Sequence, residues 1–120
     1  MKILVINGHP DKESYCQAIF KTIVETIDSN RHELKVISLN DEDFDPVLRY
    51  GYRKRMEEDP FILRSQELIQ WADHLIFVYP IWWSSMPSLM KGWIDRVFTP
   101  GIAYSANDQG SFIWNYLRGK

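Results

Sequence analysis

The sequence predicts an α/β fold, in which a doubly wound parallel sheet carries helices on both of its faces. Three short apolar segments predict strands, and the first and third are nearly continuous, which is typical of strands that are buried on both sides. Between and after them, apolar residues recur every three or four positions, as they do along helices with one buried face. This alternation of strands and helices is characteristic of layered α/β domains. At 120 residues the chain has the size of one domain, so we expect residues 1–120 to form a single unit.

The first strand and the first helix have the clearest boundaries. Residues 3–6 (Ile-Leu-Val-Ile) form an apolar run that ends at Asn7. Ser14 and Gln17 then form a capping-box pattern, which predicts the start of a helix. The apolar residues that follow define one wide helical face: Tyr15, Cys16, Ile19, Phe20, Ile23, Val24 and Ile27. Together with the next strand, these elements predict a right-handed βαβ unit.

The remaining pattern adds two strands and two helices. These are strands at 34–39 and 74–79 and helices at 61–71 and 87–98, the last with Pro87 in its first position. Residues 40–60 are polar and predict a long surface excursion that can contain a helical turn. Residues 106–110 are expected to form a loop, and residues 111–117 a short aromatic segment. Three strands make a thin sheet, so we expect that the C-terminal strands of such a domain are missing from this sequence.

Composition excludes several classes of protein. The net charge is −2 and no basic stripe is present, so the sequence does not predict nucleic-acid binding. Cys16 is the only cysteine, which excludes an internal disulfide and fits a reducing compartment. No apolar run reaches the roughly 18 residues of a membrane span, so we expect a cytoplasmic protein without direct membrane insertion. His32 and His74 are isolated, and no metal site is predicted.

The first loop, residues 7–14, carries a candidate anion site. It leads from the end of a strand into the start of a helix, whose N–H groups and dipole favour a phosphate. His9, Lys12 and Ser14 could add donors to the same anion. Alternatively, Ser14 is an ordinary helix cap and His9 a turn residue. The basic cluster at residues 49–55 could also contact a phosphate of NADPH, although a solvated surface explains it more simply.

The second loop, residues 80–87 (Pro-Ile-Trp-Trp-Ser-Ser-Met-Pro), follows a buried strand with two adjacent tryptophans. Successive residues there tend to point in different directions, so packing alone does not explain both rings. The loop offers an aromatic wall and free backbone N–H groups, which a flat conjugated ring requires. Alternatively, the tryptophans form an aromatic plug over the end of the sheet, or a contact between subunits.

Both loops resemble those of the flavodoxin-like quinone reductases. His9-Pro10 after the first strand, with Ser14 at the start of the helix, resembles the flavin-phosphate loop of that family. Residues 79–98 resemble its isoalloxazine-binding loop and the helix that follows, and residues 101–104 (Gly-Ile-Ala-Tyr) resemble the next segment. The resemblance covers essentially the whole chain in order and spacing, and its second motif is highly specific.

The resemblance implies a role for each matching residue. His9, Ser14 and the backbone of Tyr15 would hold the flavin phosphate. The isoalloxazine would be lined by Pro80, Ile81, Trp82, Trp83 and Ser84. Many relatives have glutamine at the position of Trp82. The family's later Thr-Thr-Gly-Gly-type loop has no counterpart here, and the resemblance assigns no catalytic acid or base in this chain.

The resemblance also implies a fold and an activity. The three strands would lie in the order 2-1-3. The protein would bind FAD or FMN and transfer a hydride from NAD(P)H to a quinone or a similar small-molecule electron acceptor. It would be a homodimer, in which the face carrying Trp93 and Phe98 is either the contact or part of the core. Two alternatives are a flavin-binding regulatory subunit of a membrane transporter and a shortened paralogue without activity.

Overall fold

A computed structural model describes residues 1–100, Ile102 and the backbone of residues 105–106 and 112–113. The parallel strands are β1 (Lys2–Asn7), β2 (Glu33–Ser38) and β3 (His74–Val78), and the helices are α1 (Tyr15–Thr26), α2 (Pro60–Trp71) and α3 (Ser88–Val97). The strands lie in the order β2-β1-β3, which confirms the predicted class and strand order. Two short strands, β4 (Ser105–Ala106) and β5 (Phe112–Ile113), pair antiparallel. The remainder of the predicted loop and aromatic segment at 106–117 lies outside the described residues.

The register of the sheet places the ends of all three strands at one edge. Asn7, the last residue of β1, pairs with Ser38 of β2 and with Val78 of β3. Because the strands are parallel, the loops that leave them start side by side at this carboxyl edge. Ligands of open α/β sheets bind at this edge, next to the change in strand order.

Helices cover both faces of the sheet. Ile3 and Val5 of β1 pack with Phe20 of α1 on one face. Leu4 and Ile6 point to the other face, where α2 and α3 close a second core around Trp93. The alternation follows from the two-residue repeat of a strand, and it explains why the first strand is apolar at every position.

Trp93 belongs to the core and is not available to a partner. Its side chain is fully buried, and its Nε1 donates a hydrogen bond of 3.0 Å to Ser65 Oγ. The rings of Phe77 and Phe98 pack edge-on against it. Of the two interpretations of the Trp93 face, core packing is therefore the one that the structure supports.

The predicted apolar face of α1 is too wide. Cys16, Phe20 and Val24 pack toward the sheet, but Tyr15 is 82% exposed and Ile19 is 38% exposed. A row of every fourth residue turns by about 40° at each step of a helix with 3.6 residues per turn. The early members of that row therefore point away from the face that its later members bury.

Of the two helix starts predicted from cap residues, one differs in detail and one agrees. Pro87 is the cap that precedes α3, not its first residue. Ser14 caps α1, and its Oγ accepts from the backbone N–H of Gln17, as predicted. The helical turn predicted within residues 40–60 is a 3₁₀ turn at Leu39–Asp41, and it takes in Leu39, which was predicted to end the second strand. No helix in the described part of the chain is long and apolar enough to cross a membrane.

Candidate functional site

The two predicted loops meet at the carboxyl edge of the sheet. The backbone N–H of Gly8 donates a hydrogen bond of 2.8 Å to the carbonyl of Val78, which ties the first loop to the end of β3. Beyond this point the rings of His9 and Trp82 pack edge to face, with 5.3 Å between their centroids and 81° between their planes. The structure therefore brings together the loops that the sequence analysis singled out separately.

Asn7 fixes the shape of the first loop. Its side chain is completely buried, with Oδ1 accepting from the backbone N–H of His9 at 3.1 Å. Its Nδ2 donates to Oε1 of Gln17 at 2.7 Å. The backbone N–H of Asp11 in turn donates to Nδ1 of His9 at 2.9 Å. The loop is therefore anchored to the sheet, to α1 and to its own histidine.

The start of α1 offers donors to an anion. The first N–H groups of any helix lack partners within the helix, and here they belong to Tyr15 and Cys16. Ser14 Oγ accepts from the N–H of Gln17 at 3.1 Å, so the proton of the Ser14 hydroxyl remains free to donate. These groups and the positive end of the helix dipole favour a phosphate or a carboxylate.

Lys12 of the first loop pairs with an acidic side chain. Its Nζ lies 3.0 Å from Asp41 Oδ1, in an exposed ion pair that links the first loop to the 3₁₀ turn after β2. Exposed pairs of this kind contribute about 0–1 kcal/mol. In the structure the charge of Lys12 is thus paired with Asp41, and its convergence with His9 and Ser14 on one anion stays a prediction.

Gln17 and Asn40 were missed by the sequence analysis as parts of the site. Gln17 does not complete a capping box, because its Oε1 accepts from Asn7 and, at 3.3 Å, from Asn40 Nδ2. Asn40 Nδ2 also lies 3.3 Å from the backbone carbonyl of His9, and Asn40 Oδ1 accepts from Ser38 at 3.1 Å. The available signal was the position of the two asparagines, because Asn7 ends β1 and Asn40 follows the end of the neighbouring strand β2.

The second loop is a tight, strained turn. Trp82 and Ser85 exchange two backbone hydrogen bonds, of 2.9 and 3.0 Å. Between them Trp83 and Ser84 have φ values of 50° and 59°, the left-handed conformation that a type I′ turn requires at both central positions. Each such residue other than glycine costs about 1–2 kcal/mol.

This turn presents its aromatic rings to solvent. Trp83 is fully exposed, Trp82 is 45% exposed and Ile81 is 75% exposed. The alternative that the two tryptophans form a plug over the end of the sheet is therefore wrong. Pro80 is half-buried between β3 and the turn, and Ser84 is exposed at its tip. Tyr15 contributes its backbone to the first turn of α1, while its side chain points into solvent.

From the basic cluster at 49–55, Arg49, Lys54 and Arg55 line a separate cleft of about 580 Å³, formed by the excursion before α2. A hydrogen bond from Arg49, helped by one from the backbone N–H of Val47, lowers the pKa of Asp45. The same carboxylate raises the pKa of Arg49. The cleft has both signs of charge, with acidic residues Asp43, Asp45, Glu57, Glu58 and Asp59 and basic residues Arg49, Lys54, Arg55 and Arg96. It therefore lacks the positive excess that a phosphate of NADPH would favour.

Comparisons with known proteins agree with this architecture. A ribosyldihydronicotinamide dehydrogenase-like protein of Penicillium crustosum is 28% identical over 139 residues, covering 100% of this chain and 52% of its own length. The NAD(P)H dehydrogenase (quinone) 1 of Cavia porcellus is 30% identical, covering 92% of this chain and 49% of its own. This chain thus spans about half the length of these curated relatives.

One solved structure and one family sequence model also match this chain over its whole length. The crystal structure of Smu.1420 from Streptococcus mutans UA159 is 36% identical, with a TM-score of 0.85 over 100% of this chain and 64% of that one. The sequence model of the flavodoxin-like fold matches residues 1–120, which is the whole chain. The protein whose two loops meet at His9 and Trp82 is accordingly a member of the flavodoxin-like fold family.

Proposed function

We propose that this protein is a flavin-dependent oxidoreductase that transfers a hydride from NAD(P)H, by way of FAD or FMN, to a quinone or a similar small acceptor. One observation carries the proposal: a helix start able to bind phosphate lies directly beside an exposed aromatic turn, joined through His9 and Trp82. A flavin nucleotide has a phosphate and a flat ring, which require these two surfaces. The names of the relatives from Penicillium crustosum and Cavia porcellus, both dehydrogenases, support the same class of reaction.

The donor set of the first loop fits a flavin phosphate. The N–H groups of Tyr15 and Cys16, the hydroxyl of Ser14 and the imidazole of His9 would hold it, at the positive end of the α1 dipole. Lys12 is not among these donors, so its ion pair with Asp41 can persist when the phosphate binds.

The second loop fits the isoalloxazine ring. Pro80, Ile81, Trp82, Trp83 and Ser84 would line it, and the exposed tryptophans supply the apolar area. The closed type I′ turn holds this wall in place before any ligand arrives. A pre-organised wall reduces the conformational entropy that binding would otherwise cost.

When bound, the flavin supplies the two-electron chemistry. The chain's own residues bind the phosphate, orient the ring and leave an open side for the nicotinamide and the acceptor. We assign no protein acid or base among the described residues. We further propose that two copies associate near the exposed Ile81 and Trp83, and that the protein works in the cytoplasm, where its single thiol stays reduced.

The test is flavin binding, followed by reduction and turnover. Purified protein is titrated with FMN and with FAD, and bound flavin is then mixed anaerobically with NADH or NADPH. We expect saturable binding, bleaching of the visible absorption band of the flavin, and reoxidation by a quinone. A protein that binds neither flavin would refute the proposal. Flavin binding without quinone turnover would favour the regulatory-subunit alternative.

Trp83→Ala tests the ring wall. Replacing this exposed ring should weaken flavin binding by about 5-fold or more, since stacked aromatic contacts are worth about 1–3 kcal/mol. The control is Trp71→Ala, because Trp71 lies at the end of α2, beside Lys2 and Lys35, away from both loops; since Trp71 is half-buried against the core, circular dichroism first confirms that both variants are folded. Equal flavin affinity in Trp83→Ala and the parent protein would show that the ring binds elsewhere.

A further inference from the structure

His9 is anchored at every polar group except one. Its backbone N–H donates to Asn7 Oδ1, and its carbonyl accepts from Asn40 Nδ2 at 3.3 Å. Its Nδ1 accepts from the backbone N–H of Asp11 at 2.9 Å. Among the residues that the structure describes, none bonds to Nε2. The imidazole thus has a single polar atom left for a ligand.

The bond to Nδ1 also selects the tautomer. A nitrogen that accepts a hydrogen bond carries no proton, so the ring proton of a neutral imidazole lies on Nε2. The remaining group of His9 is therefore a donor. A donor suits a phosphate oxygen, and the neighbouring groups at the start of α1 are donors as well.

One hydrogen bond does not hold a ring in place. With Nδ1 alone engaged, the imidazole could still tilt about its side-chain bonds. The ring of Trp82, whose centroid lies 5.3 Å from that of the imidazole with 81° between the two planes, is in the way of this movement. Trp82 is itself held by its two backbone hydrogen bonds to Ser85. The support under the imidazole is thus a ring on a closed turn.

We propose that Trp82 is a positioning residue that holds the imidazole of His9 with its Nε2–H directed at the flavin phosphate. This inference rests on the proposed function. It gives Trp82 a second task besides lining the isoalloxazine, and it couples the two halves of the site. Removing the tryptophan should therefore weaken binding of the phosphate, a group that we assign to His9 and the start of α1 and not to Trp82.

Paired ligands separate the two tasks, because FMN and riboflavin differ only by the phosphate. Trp82→Ala should lower the preference for FMN over riboflavin by about 2- to 10-fold, which is the contribution to affinity of one edge-to-face aromatic pair. Trp82→Phe retains a ring and should restore most of the preference. Trp83→Ala is the matched control: it removes an equal ring from the same turn without a contact to His9, so the preference should not change.

A double variant tests whether Trp82 acts through the histidine. His9→Ala should lower the same preference, and adding Trp82→Ala to it should cause no further fall. Non-additivity of this kind is expected only when two residues act as one unit. The inference would be overturned if Trp82→Ala left the preference for FMN unchanged, or if it lowered that preference equally in the parent protein and in the His9→Ala variant. Neither result would count against the proposed flavin binding itself.

A second measurement does not depend on flavin. Inorganic phosphate is titrated into isotope-labelled protein while the ring signals of His9 are followed by NMR, and the His9→Ala variant assigns those signals among the three histidines. We expect Trp82→Ala to require about 2- to 10-fold more phosphate than the parent protein for the same response. Equal requirements, or no response in the parent protein, would overturn the inference. If neither flavin binds, the proposed function fails, and this titration still decides the role of Trp82.

Discussion

Gly92→Ala should destabilise the protein, although the same change stabilises most helices. Gly92 lies in the middle of α3, where alanine is normally about 1 kcal/mol better than glycine. Here a Cβ would lie 2.2 Å from the backbone oxygen of Pro46 and 2.5 Å from its Cβ. The obstructing oxygen belongs to the backbone, so no change of rotamer relieves the overlap.

The structure sets the size of the effect. Carbon atoms pack best at about 3.5–4.0 Å, so α3 and the segment at Pro46 would have to separate by about 1 Å or more. That movement would also stretch the 2.7 Å hydrogen bond from Arg96 Nη1 to the carbonyl of Asp45, one turn along the same helix. Overpacking costs about 1–3 kcal/mol and a lost hydrogen bond about 1 kcal/mol, against a gain of about 1 kcal/mol in helix propensity. We expect a net loss of about 1–3 kcal/mol.

Urea unfolding followed by far-ultraviolet circular dichroism measures this loss directly. Lys91→Ala is the matched control, because Lys91 precedes Gly92 on α3 and has an exposed side chain whose ion pair with Asp95 is solvated. Its free energy of unfolding should stay within about 0.5 kcal/mol of the parent value. A Gly92→Ala protein about 1 kcal/mol more stable than the parent would refute the reasoning, because it would show that the excursion does not pack against α3.

Two further predictions concern the first loop and the cleft. Gly8→Ala should lower the free energy of unfolding by about 1–2 kcal/mol, because its Cβ would lie 2.5 Å from Sδ of the buried Met90. In a Met90→Ala background the same change should cost less than about 0.5 kcal/mol. Urea unfolding measures both costs, and equal costs would contradict the prediction. Arg49→Gln should raise the pKa of Asp45 toward its ordinary value, measured by NMR titration of the carboxyl carbon. Because the folded pKa is lowered, any stability that Arg49 confers is present above about pH 4 and is lost as the pH falls through the lowered pKa. An Asp45 that titrates at the same pH in both proteins would be the contrary result.

The fold follows from sequence where a local pattern and burial agree. Residues 3–6 are apolar at every position because β1 is covered on both faces, and the same rule identified β3. The pattern failed at Tyr15 and Ile19, where apolar residues lie just off the buried stripe of α1. Periodicity reports which residues could share a face, but only the packed sheet determines where that face stops.

The individual residues of the site were predictable from the sequence, but the contacts between them were not. The positions of His9, Ser14 and the two tryptophans follow from strand ends and from resemblance. The side-chain network of Asn7, Gln17 and Asn40 does not, because it connects residues that are far apart in the chain. A capping-box pattern describes what Gln17 can do locally, and the buried amide of Asn7 offers it a better partner. Tertiary hydrogen bonds of this kind leave no periodic trace in a sequence.

The strained turn at Trp83 and Ser84 is where the local preferences of this sequence are most clearly overridden. Asparagine or glycine would adopt the left-handed conformation at lower cost, and the chain uses neither. Packing does not account for the choice, since Trp83 is fully exposed. Strain that is retained without burial is typical of surfaces that bind a ligand or a partner. The backbone hydrogen bonds of this turn join Trp82 to Ser85, and the ring of Trp82 contacts His9. The strained turn of the second loop therefore helps to position the histidine of the first loop.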